Sequence, residues 1–325
     1  MPAYYLACAT EQFAPRDLLE QAVAGEQAYF DGICCSDHYQ PWWEPGESGQ
    51  AWVWLGAAGQ ATEHVRLGSA VTAPIHRYHP ALVAQAFATL ECLFPRRAFL
   101  GVGSGESLNE TPLGMDYPEP AEQLERLEEA LTLIGRLFAG ERVTSDGFYP
   151  TKDAYLHTRP ERPPPVYVSA FHEGAAHLAG KLGDGLWTLA DPEGAPPLIE
   201  AYNEGCAEAG KQPGEVLLQL SFSWAETQEA AFEGAKVWKA ALVDEFYTDD
   251  WHDPRRMQQH AQATVSDEEL LSSLVVSPDP DEHVERIREV QKLGATAVVL
   301  MNVSGSAPLE AVRVYGRDVL PKLRG

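Results

Sequence analysis

Ser36, Asp37 and His38 follow one another directly after the apolar run "GICC" and are trailed closely by Pro41, Trp42 and Trp43. An imidazole takes up or releases a proton near neutral pH, so His38 is a candidate general base. The neighbouring rings would shield it from water. A second polar cluster, "GSGESLNE" (Gly103 to Glu110), places Glu106 and Asn109 directly after another apolar run. Taken singly, each residue also has a structural reading. His38 could be a hydrogen-bonded residue of a strand end, Asp37 a turn cap, Trp42 and Trp43 core packing, and Glu106 a helix cap or first-turn acid. "GVGSGE" has the wrong spacing for a GxGxxG dinucleotide fingerprint. Metal-ligand spacings are lacking: there is no HExxH, and His76 and His79 stand apart from any carboxylate cluster. No metal is expected.

What must hold these residues is a strand–helix alternation. Buried-strand runs are "YYLACA", "GICC", "VRLGSAV", "AFLGVG", "PVYVSA", "GLWTLA" and "ATAVVLMNV". Between them lie segments with helical spacing. Leu124, Leu127, Leu131, Ile134, Leu137 and Phe138 share one face, and Val284, Ile287, Val290 and Leu293 share another. The first helix is expected to begin after Pro15. About eight repeats of this alternation predict an α/β fold with a parallel sheet, a (β/α)8 TIM barrel, with a doubly wound open sheet as the alternative. The acidic, polar stretch at about 225–273 breaks the rhythm. It predicts a helical insertion late in the chain, a lid over one end of a single barrel domain spanning 1–325. In such a barrel the C-terminal ends of the strands carry the active site, so Ser36–His38, "TAP" after the third strand and "GSGESLNE" after the fourth converge on one face.

Composition fits this setting. The chain has 325 residues, 45% hydrophobic and 22% charged, enough for a large core. A formal charge of -24 repels phosphate backbones and anionic membranes, so neither nucleic acid nor membrane is an expected partner. Five cysteines without a CxxC pair read as reduced thiols, and no signal peptide or membrane-length apolar run is visible. A cytoplasmic homodimer with a small-molecule substrate is the expectation.

The segments "EQFAPRDLLEQAV", "SDHYQPW", "RYHPALVAQAFATL", "FLGVGSGESLNE" and "SPDPDEHVE" keep their order and spacing over nearly the whole chain. Together they resemble the luciferase-like flavin and deazaflavin oxidoreductases, and within them the branch of coenzyme F420-dependent glucose-6-phosphate dehydrogenases. That resemblance implies a TIM barrel with the tricyclic cofactor ring at the strand ends and a non-prolyl cis peptide at about Ala70–Val71. It implies His38 as base, Glu106 as acid and Trp42 as wall of the reacting group. Asp37, Ala70, Val71, Thr72, Asn109, Ser169, Ala170, Phe171, His172 and Gly174 would line the cofactor, with Asp37 orienting the ring edge or the imidazole.

Two departures from that family pattern matter. The loop that grips the cofactor's phosphate reads "SAFHEGAA" (Ser169 to Ala176), where Phe171 and His172 replace glycines. Gly174 and the helix start would have to substitute. The loop also resembles a related flavin subgroup outside the deazaflavin users, which makes FMN the alternative cofactor. The cations that bind a sugar phosphate are replaced by "LADPEG", "FYTDDWHD" and "LLSSLVV". The sequence therefore predicts hydride transfer with an unphosphorylated alcohol, sugar or carbonyl compound. Arg77, Arg255 and Arg256 are the cations that a fold-back of the insertion could aim into the site. An FMN-dependent monooxygenase of the luciferase type and a non-catalytic flavin-binding protein are the alternatives.

Overall fold

The computed structural model describes residues 1–325. Eight parallel strands close on themselves: β1 (Ala3–Cys8), β2 (Gly32–Cys35), β3 (Arg66–Ser69), β4 (Ala98–Val102), β5 (Val166–Ser169), β6 (Gly185–Leu189), β7 (Glu215–Ser223) and β8 (Ala297–Asn302). β8 pairs with both β1 and β7, and β7 also pairs with β6, which closes the barrel. The open-sheet alternative is thereby excluded, because an open sheet leaves two edges unpaired.

Seven strands coincide with the apolar runs. The eighth, β7, is the one that pattern reading omits. "EVLLQLSFS" alternates apolar residues with Gln219 and Ser221, which a search for continuous apolar runs passes over. Inside the barrel Gln219 is satisfied: its Oε1 accepts from Trp187 Nε1 at 3.1 Å. The short antiparallel hairpin of Val143–Ser145 and Thr151–Ala154 is likewise not evident from the sequence.

The N-terminal end of the barrel is closed by Arg66. Its guanidinium sits among the rings of Tyr5, Phe99 and Tyr167 and pairs with Glu215 at 3.1 Å.

The helices follow their apolar spacing. In Pro120–Phe138, Leu127, Leu131, Ile134 and Leu137 are buried, while Leu124 and Phe138 are half-buried at the margins. The first helix, Pro15–Gln27, includes Pro15 rather than starting after it, since the first helical turn needs no N–H there. The stretch 225–273 is helical, in five pieces from Gln228–Ala235 to Asp267–Ser273.

Between β3 and β4 the chain leaves the ladder and returns. Ala70 N still donates to Cys35 O, the Ala70–Val71 peptide is cis, and Thr72 N rejoins at Gly101 O (2.9 Å). Gly101 permits this close approach, because a Cβ there would stand 2.1 Å from Ser69 O.

Candidate active site

The loops after β1, β2 and β4 bring three titratable groups together. His38 Nε2 lies 3.3 Å from Glu106 Oε2 and 3.6 Å from Glu11 Oε1. Glu11 is buried and fixed from behind by Ser36, whose Oγ donates to Glu11 Oε2 at 2.7 Å. The imidazole ring packs on Trp42 with centroids 5.4 Å apart. Its Nδ1 is buried and has no hydrogen-bond partner.

Glu106 occupies the N-cap position of a one-turn helix, Ser107–Glu110, yet its side chain caps nothing. The carboxylate turns to His38 instead and accepts from Asn109 Nδ2 at 3.1 Å. Asn109 Oδ1 in turn accepts from Tyr39 N at 2.7 Å, which ties the β4 loop to the β2 loop. Burial pushes the Glu106 carboxyl above the usual glutamate range, with Glu11 adding to the rise. His38, Arg77 and the Asn109 hydrogen bond pull the other way. A carboxyl raised in this way keeps its proton longer and suits an acid.

Asp37 corrects one expectation. Its carboxylate does not meet the imidazole. It accepts from Thr72 Oγ1 at 2.6 Å and Tyr78 OH at 3.3 Å, and pairs with Arg77 Nη2 at 3.1 Å. Thr72 Oγ1 also accepts from Trp52 Nε1 at 3.0 Å, so its hydroxyl is committed within the protein. Arg77 bridges Asp37 to the buried Glu110 at 3.0 Å and is itself buried. It is an internal strut rather than a cation aimed at a ligand.

The remaining candidates follow β3 and β5, the two strands that flank β4. Ala70 and Val71 are half-buried at the cis bulge, Ser169 ends β5 and Ala170 is buried beside it. Phe171 is exposed, and its ring meets Tyr247 with centroids 5.6 Å apart. His172 is the N-cap of the helix Glu173–Leu182, with Nδ1 accepting from Ala175 N at 3.2 Å. One helix-start amide is therefore already satisfied by a side chain. Gly174 lies exposed in the first turn.

The sequence does not single out Glu11, Ser107 or Tyr247. Glu11 obeys the same rule as His38, since it is a titratable residue three positions beyond a strand end. Tyr247 comes from the insertion and meets Trp42 with ring centroids 5.4 Å apart. That contact is long-range, and no local pattern announces it.

The acids of "FYTDDWHD" stand at the rim. Asp250 Oδ1 accepts from Thr111 Oγ1 at 3.0 Å, and Asp253 caps the helix Pro254–Thr264 while pairing with Arg255 at 3.0 Å. Arg256 lies over the Trp251 ring.

Residues 6–297 match the model of the "Luciferase-like monooxygenase" family. The chain belongs to that family. Among its relatives, it is 42% identical over 321 residues to the F420-dependent glucose-6-phosphate dehydrogenase of Beutenbergia cavernae. It is 40% identical over 322 residues to the enzyme of the same name from Microbacterium testaceum. In both cases 97% of this chain and 95% of the relative are covered. Among solved structures, an F420-dependent secondary alcohol dehydrogenase in complex with an F420-acetone adduct superposes with a TM-score of 0.94. It is 32% identical, and both chains are covered completely. The luciferase-like barrel thus agrees with the geometry above.

Proposed function

We propose that this member of the luciferase-like family is an oxidoreductase that moves a hydride between coenzyme F420 and a small, unphosphorylated alcohol or carbonyl compound. The observation that carries this reading is the arrangement of His38, Glu106 and Glu11 at one barrel mouth. The names of the relatives supply the cofactor, and FMN is the alternative because the altered tail loop does not discriminate against it.

The residues present fit such a group. His38 Nδ1 is a buried polar atom without a partner, as expected where a ligand completes the site. The cis bulge at Ala70–Val71 with Ser169 and Ala170 would hold the ring, and the start of Glu173–Leu182 at Gly174 the tail. When bound, the deazaflavin supplies an acceptor for two electrons and one hydrogen.

The protein's own part is proton handling. Oxidising an alcohol to a carbonyl releases a hydroxyl proton as the carbon loses hydride. His38 takes that proton as general base. The buried Glu11 carboxylate beside it accommodates the positive charge that the ring gains. Burial raises the Glu106 carboxyl above the usual glutamate range, which suits it to hold a proton where negative charge develops. Trp42 excludes water from the imidazole. In the reverse direction the same groups return the proton to the carbonyl oxygen.

The cations around the mouth support a neutral substrate. Arg77 is taken by Asp37 and Glu110, and Arg255 by Asp253. A phosphomonoester would meet Asp250 at the rim, where Arg256, which has no carboxylate partner, lies over the Trp251 ring. Titration with F420 and FMN, followed by steady-state rates on a matched free and phosphorylated sugar, tests the reading.

We also infer that two copies pair through the helices Ala51–Ala61 and Pro80–Leu93. These lie side by side and expose Val53 (76%), Leu82 (56%) and Leu93 (62%). Neither helix has an exposed charge. Their one acid, Glu91, is buried and accepts from Ala98 N at 3.0 Å. On a chain of charge -24, this is a face two copies can share without opposing like charges.

A further inference from the structure

The segment from Tyr247 to His252 crosses from the insertion onto the two loops that carry His38 and Glu106. Ser107, buried and next in sequence to Glu106, clamps it. Its Oγ accepts from Trp251 N at 2.8 Å and lies 2.7 Å from Trp251 O and 3.1 Å from Asp249 O. Thr111 donates to Asp250 at 3.0 Å, and Gln40 Nε2 donates to His252 O at 2.8 Å. Gln40 lies two residues beyond His38. Base loop and acid loop therefore hold the same tongue.

The clamp has a consequence at Tyr247. Its ring lies between Trp42 and Phe171, with centroids 5.4 and 5.6 Å away, and Trp42 rests on His38. The Tyr247 hydroxyl donates to Ala241 O at 2.9 Å, within the insertion. What Tyr247 offers Trp42 and Phe171 is ring hydrocarbon rather than a hydrogen-bonding group.

We propose that Tyr247, positioned by Ser107, determines substrate specificity as the apolar wall beside the base. This rests on the proposed function and narrows its substrate class to short alkyl alcohols and the matching ketones. A polyol would bring further hydroxyls against hydrocarbon, where each would lose water without gaining a partner. A bulky or branched alkyl group would collide with a ring fixed from three sides.

The test compares 2-propanol, 2-butanol and 4-methyl-2-pentanol with the parent, Tyr247→Ala, Tyr247→Phe and Ser107→Ala, each checked for folding by thermal melting. In the parent, kcat/KM falls at least about tenfold from the smallest to the branched alcohol. Tyr247→Ala flattens that profile by about tenfold and raises KM for 2-propanol more than it lowers kcat. Tyr247→Phe keeps the profile, because the ring is the wall. Ser107→Ala shifts the profile in the same direction and speeds hydrogen exchange at 248–252 in the protein without added ligand. An unchanged size profile in Tyr247→Ala would overturn the proposal. If no alcohol is oxidised by the parent with either cofactor, the proposed function fails. The clamp is then judged by exchange alone, and unchanged exchange in Ser107→Ala overturns it too.

Discussion

Glu106 Oε2 and His38 Nε2 stand 3.3 Å apart, although 68 positions separate them and they arise from loops after different barrel strands. The contact joins a proton acceptor to a carboxyl that burial inclines to stay protonated. If both act on the chemical step, His38→Ala and Glu106→Gln each lower turnover by about a hundredfold or more. Cofactor affinity, measured by fluorescence titration, changes far less. Full turnover in both variants would make the pair a structural contact.

The raised Glu106 and Glu110 carboxyls fix the sign of a pH effect on stability. Each binds its proton more tightly in the folded protein than in the unfolded chain. The stability this represents is fully present below the ordinary glutamate value and is lost as pH rises through the folded value. Glu106→Gln removes its share of that loss. The variant is therefore expected to melt higher than the parent at pH 7.5, with the difference fading near pH 4. A melting point below the parent's at pH 7.5 would contradict this.

Arg77 is the one cation between two buried carboxylates, Asp37 and Glu110. Replacing it by Met leaves both without a counter-charge. A loss of about 3–5 kcal/mol in urea unfolding is expected, the usual cost of breaking a buried pair from one side. A loss below about 1 kcal/mol would show that the site is better hydrated than its burial suggests.

How much of this was legible in the sequence depends on the range of the interaction. Strand ends and helix faces are local, so seven strands and the position of His38, Trp42, Glu106 and Asn109 could be read directly. β7 was hidden because Gln219 and Ser221 interrupt its apolar pattern, Gln219 being satisfied inside the barrel by Trp187. The family resemblance implies that Asp37 orients either the cofactor's ring edge or the imidazole. Folding gives it Arg77, Thr72 and Tyr78 instead, from a loop about 40 residues away. The partners of Tyr247 and Ser107 depend on where the insertion lands, which no periodicity encodes.

The uncharged helix pair predicts the assembly. Sedimentation should show a dimer for the parent and a monomer for Leu82→Glu, with the melting curve otherwise intact. A buried glutamate opposite its own copy is the like-charge contact that this surface otherwise avoids. A monomeric parent, or an unaltered dimer in the variant, would place the interface elsewhere or remove it.

The central claim is hydride transfer from an unphosphorylated substrate with His38 as base. Its most direct test is the bleaching of F420 absorbance on adding 2-propanol, free glucose or glucose 6-phosphate to the purified protein, with His38→Ala as control. The account predicts bleaching with 2-propanol, its near loss in His38→Ala, and a kcat/KM for glucose 6-phosphate lower by at least about tenfold. A clear preference for glucose 6-phosphate, or bleaching that survives the loss of His38, would contradict it.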